Sequence, residues 1–321
     1  FGKYICRGNG ALEFLDRIFA NKIPEKVGAS CLSPIIGKMG GISADATITK
    51  INDDTFWVVS SGAAEGFQRR FFNLIELDEG TKFTSKSNDY CGFNVAGPKS
   101  RDLLQRLSNK NLSKEAWPFF KSGNLVIAGI ECVALRVSFT GDLGWELYCE
   151  EHDQLALYEV LIKSASQIGG GPVGSRALMS LRLEKGYGSW GREFSPEYWP
   201  HEVGLERLIS NKPDFINKGR VEDVLSMPAR EKLVVLQLNQ TDVLKSNADA
   251  LGGEPIFKDG KGVGRVTSGG YGYSVDMSLA LGFVKGLESG EEVDVMVLGK
   301  PHRAIILNKP PFDPESSILR G

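Results

Sequence analysis

Histidine is scarce in this chain, and its scarcity narrows the available chemistry. The 321 residues include three histidines, His152, His201 and His302. None has HxxxH or HxxE spacing and no CxxC pair exists, so a metal site finds little support. The five cysteines, Cys6, Cys31, Cys91, Cys132 and Cys149, are odd in number and widely spaced. Set among apolar neighbours such as Val133-Ala134-Leu135, they are expected to be buried free thiols of a reducing compartment. No block of Lys or Arg interrupts the mixture of 38 basic and 40 acidic residues, whose formal net charge is -2. A nucleic-acid partner is therefore disfavoured. No apolar run approaches the roughly 20 residues that cross a bilayer, and the first residues lack a charged-then-apolar signal pattern. The expectation is a protein that is neither membrane-embedded nor secreted.

Three common signatures are also missing. Gly169-Gly170-Gly171-Pro172-Val173-Gly174 offers glycines, but a helical pattern precedes them and Pro172 interrupts them. A dinucleotide fingerprint instead needs a strand before and a helix after, so a loop is the better reading. A phosphate-loop lysine motif is absent. Around Ser189 the order Tyr187-Gly188-Ser189-Trp190-Gly191 puts tyrosine where a hydrolase elbow needs its first glycine.

What is present is an ordinary globular composition, 41% hydrophobic and 24% charged, long enough for two or three cores. Phe1 to Cys6 reads as a strand, and because it opens without Met, a segment upstream is expected. Leu12, Leu15 and Phe19 then recur at helical spacing. Ala46–Ile51 and Thr55–Ser60 read as a hairpin, followed by a helix with Phe67, Phe71 and Leu74 on one face. The same grammar repeats from Tyr90 to Ala96 and along Leu103, Leu104 and Leu107. Paired strands at 125–139, a glycine turn at 140–144 and helices near 155–165 and 177–185 come next. Beyond residue 215 the pattern changes to strands and turns only, predicting a small β-barrel or sandwich. The predicted class is α+β, divided at 1–95, 96–225 and 226–321.

Candidate chemistry rests on carboxylates. Asp45 follows Gly40-Gly41-Ile42-Ser43-Ala44 at the start of an apolar strand. It reads either as an exposed strand-end residue or as a partly buried general base. Glu146 lies between Trp145 and Leu147 on the opposite strand face. It points either to solvent or towards an amidine-like edge that can donate two parallel hydrogen bonds. Tyr187, Trp190, Phe194, Tyr198 and Trp199 form an aromatic cluster, suited to core packing or to the wall of a heterocycle pocket.

Taken in order, these segments resemble the glycine-cleavage T-protein family. Gly40 to Asp45 looks like its GGxxxD strand entry, and Phe139-Thr140-Gly141-Asp142-Leu143-Gly144-Trp145-Glu146-Leu147 like its YTGExGxEL segment. Leu181-Arg182-Leu183-Glu184 resembles the LRLE helix, Asp214-Phe215-Ile216 the DFIG segment, and Val266 to Ala280 the TSGxxSPxxxxSIA stretch. Within the family, Phe19 to Pro24, Gly144 to Tyr148 and Leu183 to Trp190 lean towards the dimethylglycine and sarcosine dehydrogenase branch. The resemblance implies a three-subdomain cloverleaf around a central folate channel, closed by a C-terminal β-barrel. It further implies tetrahydrofolate as cofactor and a small-molecule amine as substrate. FAD would be held only by an upstream oxidase domain or subunit outside this chain, in a mitochondrial matrix or a bacterial cytoplasm.

Carried over by position, Asp45 is implied as the group near the folate N10, Glu146 as the grip on the pterin, and Trp190 as an aromatic beside it. Ser60, Phe139, Arg176 and Tyr187 are implied as further cofactor contacts. Ser60 stands where the family has a folate-contacting asparagine, and the family's ARD arginine falls on Leu178, two residues after Arg176. Two rival readings are a stand-alone aminomethyltransferase and a non-catalytic folate-binding protein. Tyr187 argues against the second, because that subgroup carries a cysteine there.

Overall fold

The computed structural model describes residues 1–77 and 79–321. A first sheet, buried along most of its central strands, is built from β1 (Gly2–Arg7), β2 (Ser30–Ile36), β3 (Ile42–Asn52), β4 (Thr55–Ser60) and β5 (Lys82–Ser85). Its order is β2-β3-β4-β1-β5, antiparallel throughout. One face packs on α1 (Ala11–Ile18), which buries Ala11, Phe14, Leu15 and Ile18 at helical spacing. α2 (Glu65–Asn73) departs from the sequence expectation. It buries Gln68 and Phe72, while Phe67 and Leu74, assigned to its apolar face, are exposed.

The second sheet joins β6 (Tyr90–Ala96), β7 (Ser122–Ile127), β8 (Ile130–Leu135) and β9 (Gly144–Glu150) in the order β6-β9-β8-β7. Between β6 and β7 comes α3 (Ser100–Leu107), and β9 leads to α4 (Gln154–Ser166). These helices cover one face through Leu103, Leu104, Leu157 and Leu161. The other face meets the first sheet across Trp57, Val59, Leu135, Val137 and Tyr148. Ser30 anchors the junction, its Oγ donating to Ser122 Oγ at 3.1 Å.

α5 (Ser175–Glu184) and α6 (Lys218–Leu225) lead to a closed barrel. Its six strands are β10 (Lys232–Leu238), β11 (Pro255–Lys258), β12 (Lys261–Gly272), β13 (Met277–Val284), β14 (Glu292–Val297) and β15 (Lys300–Ile306). The C-terminal stretch is not made of strands and turns alone. α7 (Gln240–Ser246) interrupts it and α8 (Ser317–Arg320) ends it. The side chain of Asn239 caps α7 by accepting from the Thr241 and Asp242 backbone N–H groups, a local preference strong enough to start a short helix.

Candidate functional site

Strand alternation decides where Asp45 and Glu146 point. Ala44, Ala46 and Ile48 of β3 belong to the core beneath α1, so Asp45, between them, faces the other way. Thr47 pairs with Val59, and Val59 packs against the second sheet. Asp45 therefore looks into the space between the sheets. Glu146 does the same from the other side, because its strand partner Leu135 lies in that inter-sheet cluster while Trp145 and Leu147 enter the opposite core. The two carboxylates thus face the same inter-sheet space from opposite sheets.

Neither is a solvated surface group. Asp45 is partly buried as a residue, but its Oδ1 is sealed from solvent without a hydrogen-bond partner. Desolvation pushes its carboxyl up to about 6, against the weaker pull of its own backbone hydrogen bond. Glu146 is buried, and desolvation raises its carboxyl too. The Tyr148 hydroxyl, which donates to Oε2 at 2.6 Å, works in the opposite direction.

Ser60 is tied to Asp45. Its Oγ donates to the Asp45 carbonyl at 2.6 Å and accepts from Gln68 Nε2 at 2.6 Å. The Oε1 of Gln68 has no partner. The preceding residue in α2, Phe67, has its ring centre 6.2 Å from that of Trp190, whose buried Nε1 is likewise unpartnered. A chain of contacts thus leads from Asp45 through Ser60 and α2 to Trp190. Gln68 was missed in the sequence because a glutamine amid apolar helix positions reads as surface.

The glycines at the entry to β3 hold this arrangement together. A side chain on Gly41 would strike the Pro196 carbonyl, and the Ile42 N–H donates to the Tyr198 carbonyl at 3.0 Å. Gly40 adopts φ +84° against Val224, a conformation glycine takes at little cost. The GG pair lets the segment after Trp190 lie directly on the strand that bears Asp45.

A buried ion pair fixes the Trp190 loop from the barrel side. Arg182 and Glu193 are fully buried and meet at 2.8 Å. Arg182 also donates to the Tyr187 carbonyl at 2.8 Å and to Ser268 Oγ. Glu193 accepts from the Ser189 N–H at 2.9 Å, Thr267 Oγ1 at 2.7 Å and Ser268 Oγ. Burial pushes the Glu193 carboxyl up, but Arg182, Ser268 and Thr267 together overcome it and hold it below its usual value. Residues 187–193 are thereby clamped between α5 and β12.

The remaining residues are not all drawn together. Tyr187 stands at the start of that loop, half-buried, its phenol raised by desolvation. Phe139 is half-buried in the turn before β9. Arg176 is exposed on the first turn of α5. Tyr198 stacks on Phe283 at 4.0 Å, and Trp199 lies under Arg230 at 4.1 Å, so these two aromatics serve packing. Two clefts lie elsewhere. One of about 320 Å³ is lined by charges such as Arg230, Glu231 and Arg265, and one of about 480 Å³ opens at the far end of the inter-sheet space. Neither reaches Asp45 or Glu146. Among the described residues, no group of three or more His, Cys, Asp and Glu is placed to hold a metal ion.

Comparison with known proteins agrees with this architecture. Residues 1–212 match the GCVT N-terminal domain, and residues 232–313 the glycine cleavage T-protein C-terminal barrel domain. Mitochondrial dimethylglycine dehydrogenase of Homo sapiens is 35% identical over 97% of the chain. Mitochondrial sarcosine dehydrogenase of Mus musculus is 26% identical over 100%. The chain spans only 36% and 37% of those two relatives. An aminomethyltransferase of Desulforamulus reducens is 27% identical over 96% of the chain, which covers 84% of it. In three dimensions, the glycine cleavage system aminomethyltransferase T of Bartonella henselae superposes with a TM-score of 0.86 over 98% of the chain and 84% of its own length. At 21% identity this is a likeness of fold.

Proposed function

Because the chain belongs to the glycine cleavage T-protein family, we propose that it transfers a one-carbon unit to tetrahydrofolate. The donor is an iminium derived from an N-methyl amine of the dimethylglycine or sarcosine type, and the product is 5,10-methylenetetrahydrofolate. The observation that carries this reading is the pair of desolvated carboxylates turned into the space between the two sheets, one with an unpartnered oxygen. The cofactor fits what is present. Asp45 Oδ1, Gln68 Oε1 and Trp190 Nε1 are buried polar atoms that lack partners, and such groups are costly unless a ligand satisfies them.

When bound, tetrahydrofolate supplies two amine nitrogens, N5 and N10, between which the carbon is held. Glu146 grips the amino-pyrimidinone edge through charge-assisted hydrogen bonds, with Tyr148 fixing its carboxylate. Trp190 and Tyr187 line the ring system, and Phe139, Ser60 and Arg176 are further contacts. Asp45 accepts the proton released at N10. A carboxyl raised to about 6 is better matched to that task near neutrality than an ordinary aspartate. The sheets and the 187–193 loop exclude water and hold these groups in place, and positioning of this kind is worth about 7–11 kcal/mol when geometry is good.

On this reading, three units, 1–95, 96–225 and 226–321, enclose the site. A flavin oxidase domain or subunit generates the iminium, and the protein works in the mitochondrial matrix or a bacterial cytoplasm. A second reading, a stand-alone aminomethyltransferase, rests on likeness to the Desulforamulus reducens enzyme, 27% identical over 96% of the chain. The higher identity to the dehydrogenase favours the first. The test is Asp45→Asn. Folate-coupled product should fall at least about 100-fold while folate affinity stays within a few-fold, and the wild-type rate should decline below about pH 6. Unchanged turnover removes Asp45 from the role.

A further inference from the structure

Arg136 follows Leu135, the strand partner of Glu146, at the end of β8. Its side chain is fully buried, its Nε has no partner, and no carboxylate among the described residues pairs with it. Desolvation pulls the guanidinium down to about 10, and the charge of Arg101 adds to that. Carbonyls hold it instead, since Nη1 donates to Gly144 at 3.0 Å and Nη2 to Leu319 at 2.7 Å. Gly144 opens β9, two residues before Glu146, whereas Leu319 lies in α8, beyond the barrel. A guanidinium buried without a counter-charge costs more than an apolar side chain of similar volume in the same place. Packing therefore does not account for it, but the two carbonyls it joins do.

The segment that carries Leu319 is itself tied down. The Phe312 N–H donates to the Glu184 carbonyl at 3.0 Å. Asp313 meets Lys185 at 3.3 Å, with both side chains 2% exposed, and accepts from the Ser317 and Leu319 N–H groups at 2.7 and 3.1 Å. Lys185 also donates to Ser316 Oγ at 3.1 Å. Gly141, at φ +83°, lies so close on the Lys185 side chain that a Cβ would come within 2.6 Å of its Cδ. Residues 312–319 thus reach the end of α5 directly, the glycine turn through Lys185, and the first residue of β9 through Arg136. We propose that this segment is a strap that positions Glu146, with Arg136 as the positioning residue that joins it to β9; its bearing on a ligand rests on the reading of Glu146 as the folate grip. Parallel hydrogen bonds to one carboxylate tolerate little misalignment, so a loosened entry to β9 weakens them.

Hydrogen exchange of the full chain, followed by mass spectrometry, reads the strap without any ligand. Arg136→Met keeps the bulk and removes both bonds. Peptides covering 140–148 should then exchange about tenfold faster, with α4, packed on the same sheet, unchanged. Asp313→Asn, which disturbs the strap from its other end, should speed the same peptides. Calorimetric titration with tetrahydrofolate should show an affinity about tenfold lower in Arg136→Met, and Arg136→Lys, which keeps cationic donors, should recover most of it. Should Arg136→Met fail to fold, Asp313→Asn decides the matter through the same peptides. Exchange unchanged at 140–148, or faster throughout the sheet and α4, would overturn the proposal, as would full folate affinity in Arg136→Met. Absence of folate binding in the wild type would instead overturn the reading of the site, and the exchange pattern would still decide the strap.

Discussion

Buried carboxylates meet opposite fates in two regions of this molecule. Glu193 is surrounded by donors from Arg182, Ser189, Thr267 and Ser268, and its carboxyl is held below the usual range. Asp45 and Glu146 are also desolvated, but Asp45 keeps an unpartnered oxygen and the single Tyr148 hydroxyl bond to Glu146 does not offset its burial, so desolvation pushes both upward. A satisfied buried charge secures the fold. An unsatisfied one stores an unfavourable desolvation that a ligand can relieve. The same distinction separates the clamp of the 187–193 loop from the surfaces it presents.

Glu193→Ala should break that comparison most severely, because it strands the Arg182 guanidinium without its partner. We expect a loss of about 3–5 kcal/mol in denaturant unfolding, whereas Glu146→Ala should change stability by less than half as much. Near-equal losses would erase the contrast.

Asp45→Asn sharpens the comparison through pH. A carboxyl whose folded value lies near 6, above an unfolded value of about 3.9, lowers stability once it is ionised. That penalty is full above about pH 6 and absent below about pH 4. The asparagine variant should therefore be about 1–3 kcal/mol more stable than wild type at pH 8, with the gain vanishing towards pH 4. Thermal melts across that window measure it, and a variant less stable at pH 8 would contradict the assignment. The smallest effect is expected at Trp190→Leu, where loss of ring contact should weaken folate binding by about fivefold, or about 1 kcal/mol, with the melting temperature little changed.

Much of the fold was legible from apolar patterning alone. β4 and β6 run over the predicted residues, β4 as an apolar run buried on both faces and β6 as an alternating strand with one face towards the helices of its own unit. β2 and β11 escaped notice for a shared reason, since Pro34 and Pro255 weaken a strand pattern. Yet Pro34 lies on an edge strand, and Pro255 opens its strand. α2 was read with the wrong face inward because its buried Gln68 is held by Ser60, a residue on a strand. The site divides the same way. The motif around Asp45 could be read, but whether that carboxylate meets water depends on a second sheet about a hundred residues further along the chain. Strand periodicity places a side chain on a face; only tertiary packing says what covers it.

The central claim is that Glu146 and Asp45 form one folate site divided into a grip and a base. Calorimetric titration of the purified chain with tetrahydrofolate, beside Glu146→Ala, tests it most directly. The account predicts one site per chain in the wild type and an affinity loss of about 10-fold to 100-fold in the variant, with folding intact. Equal affinity in the two proteins, or no binding to the wild type, would contradict it.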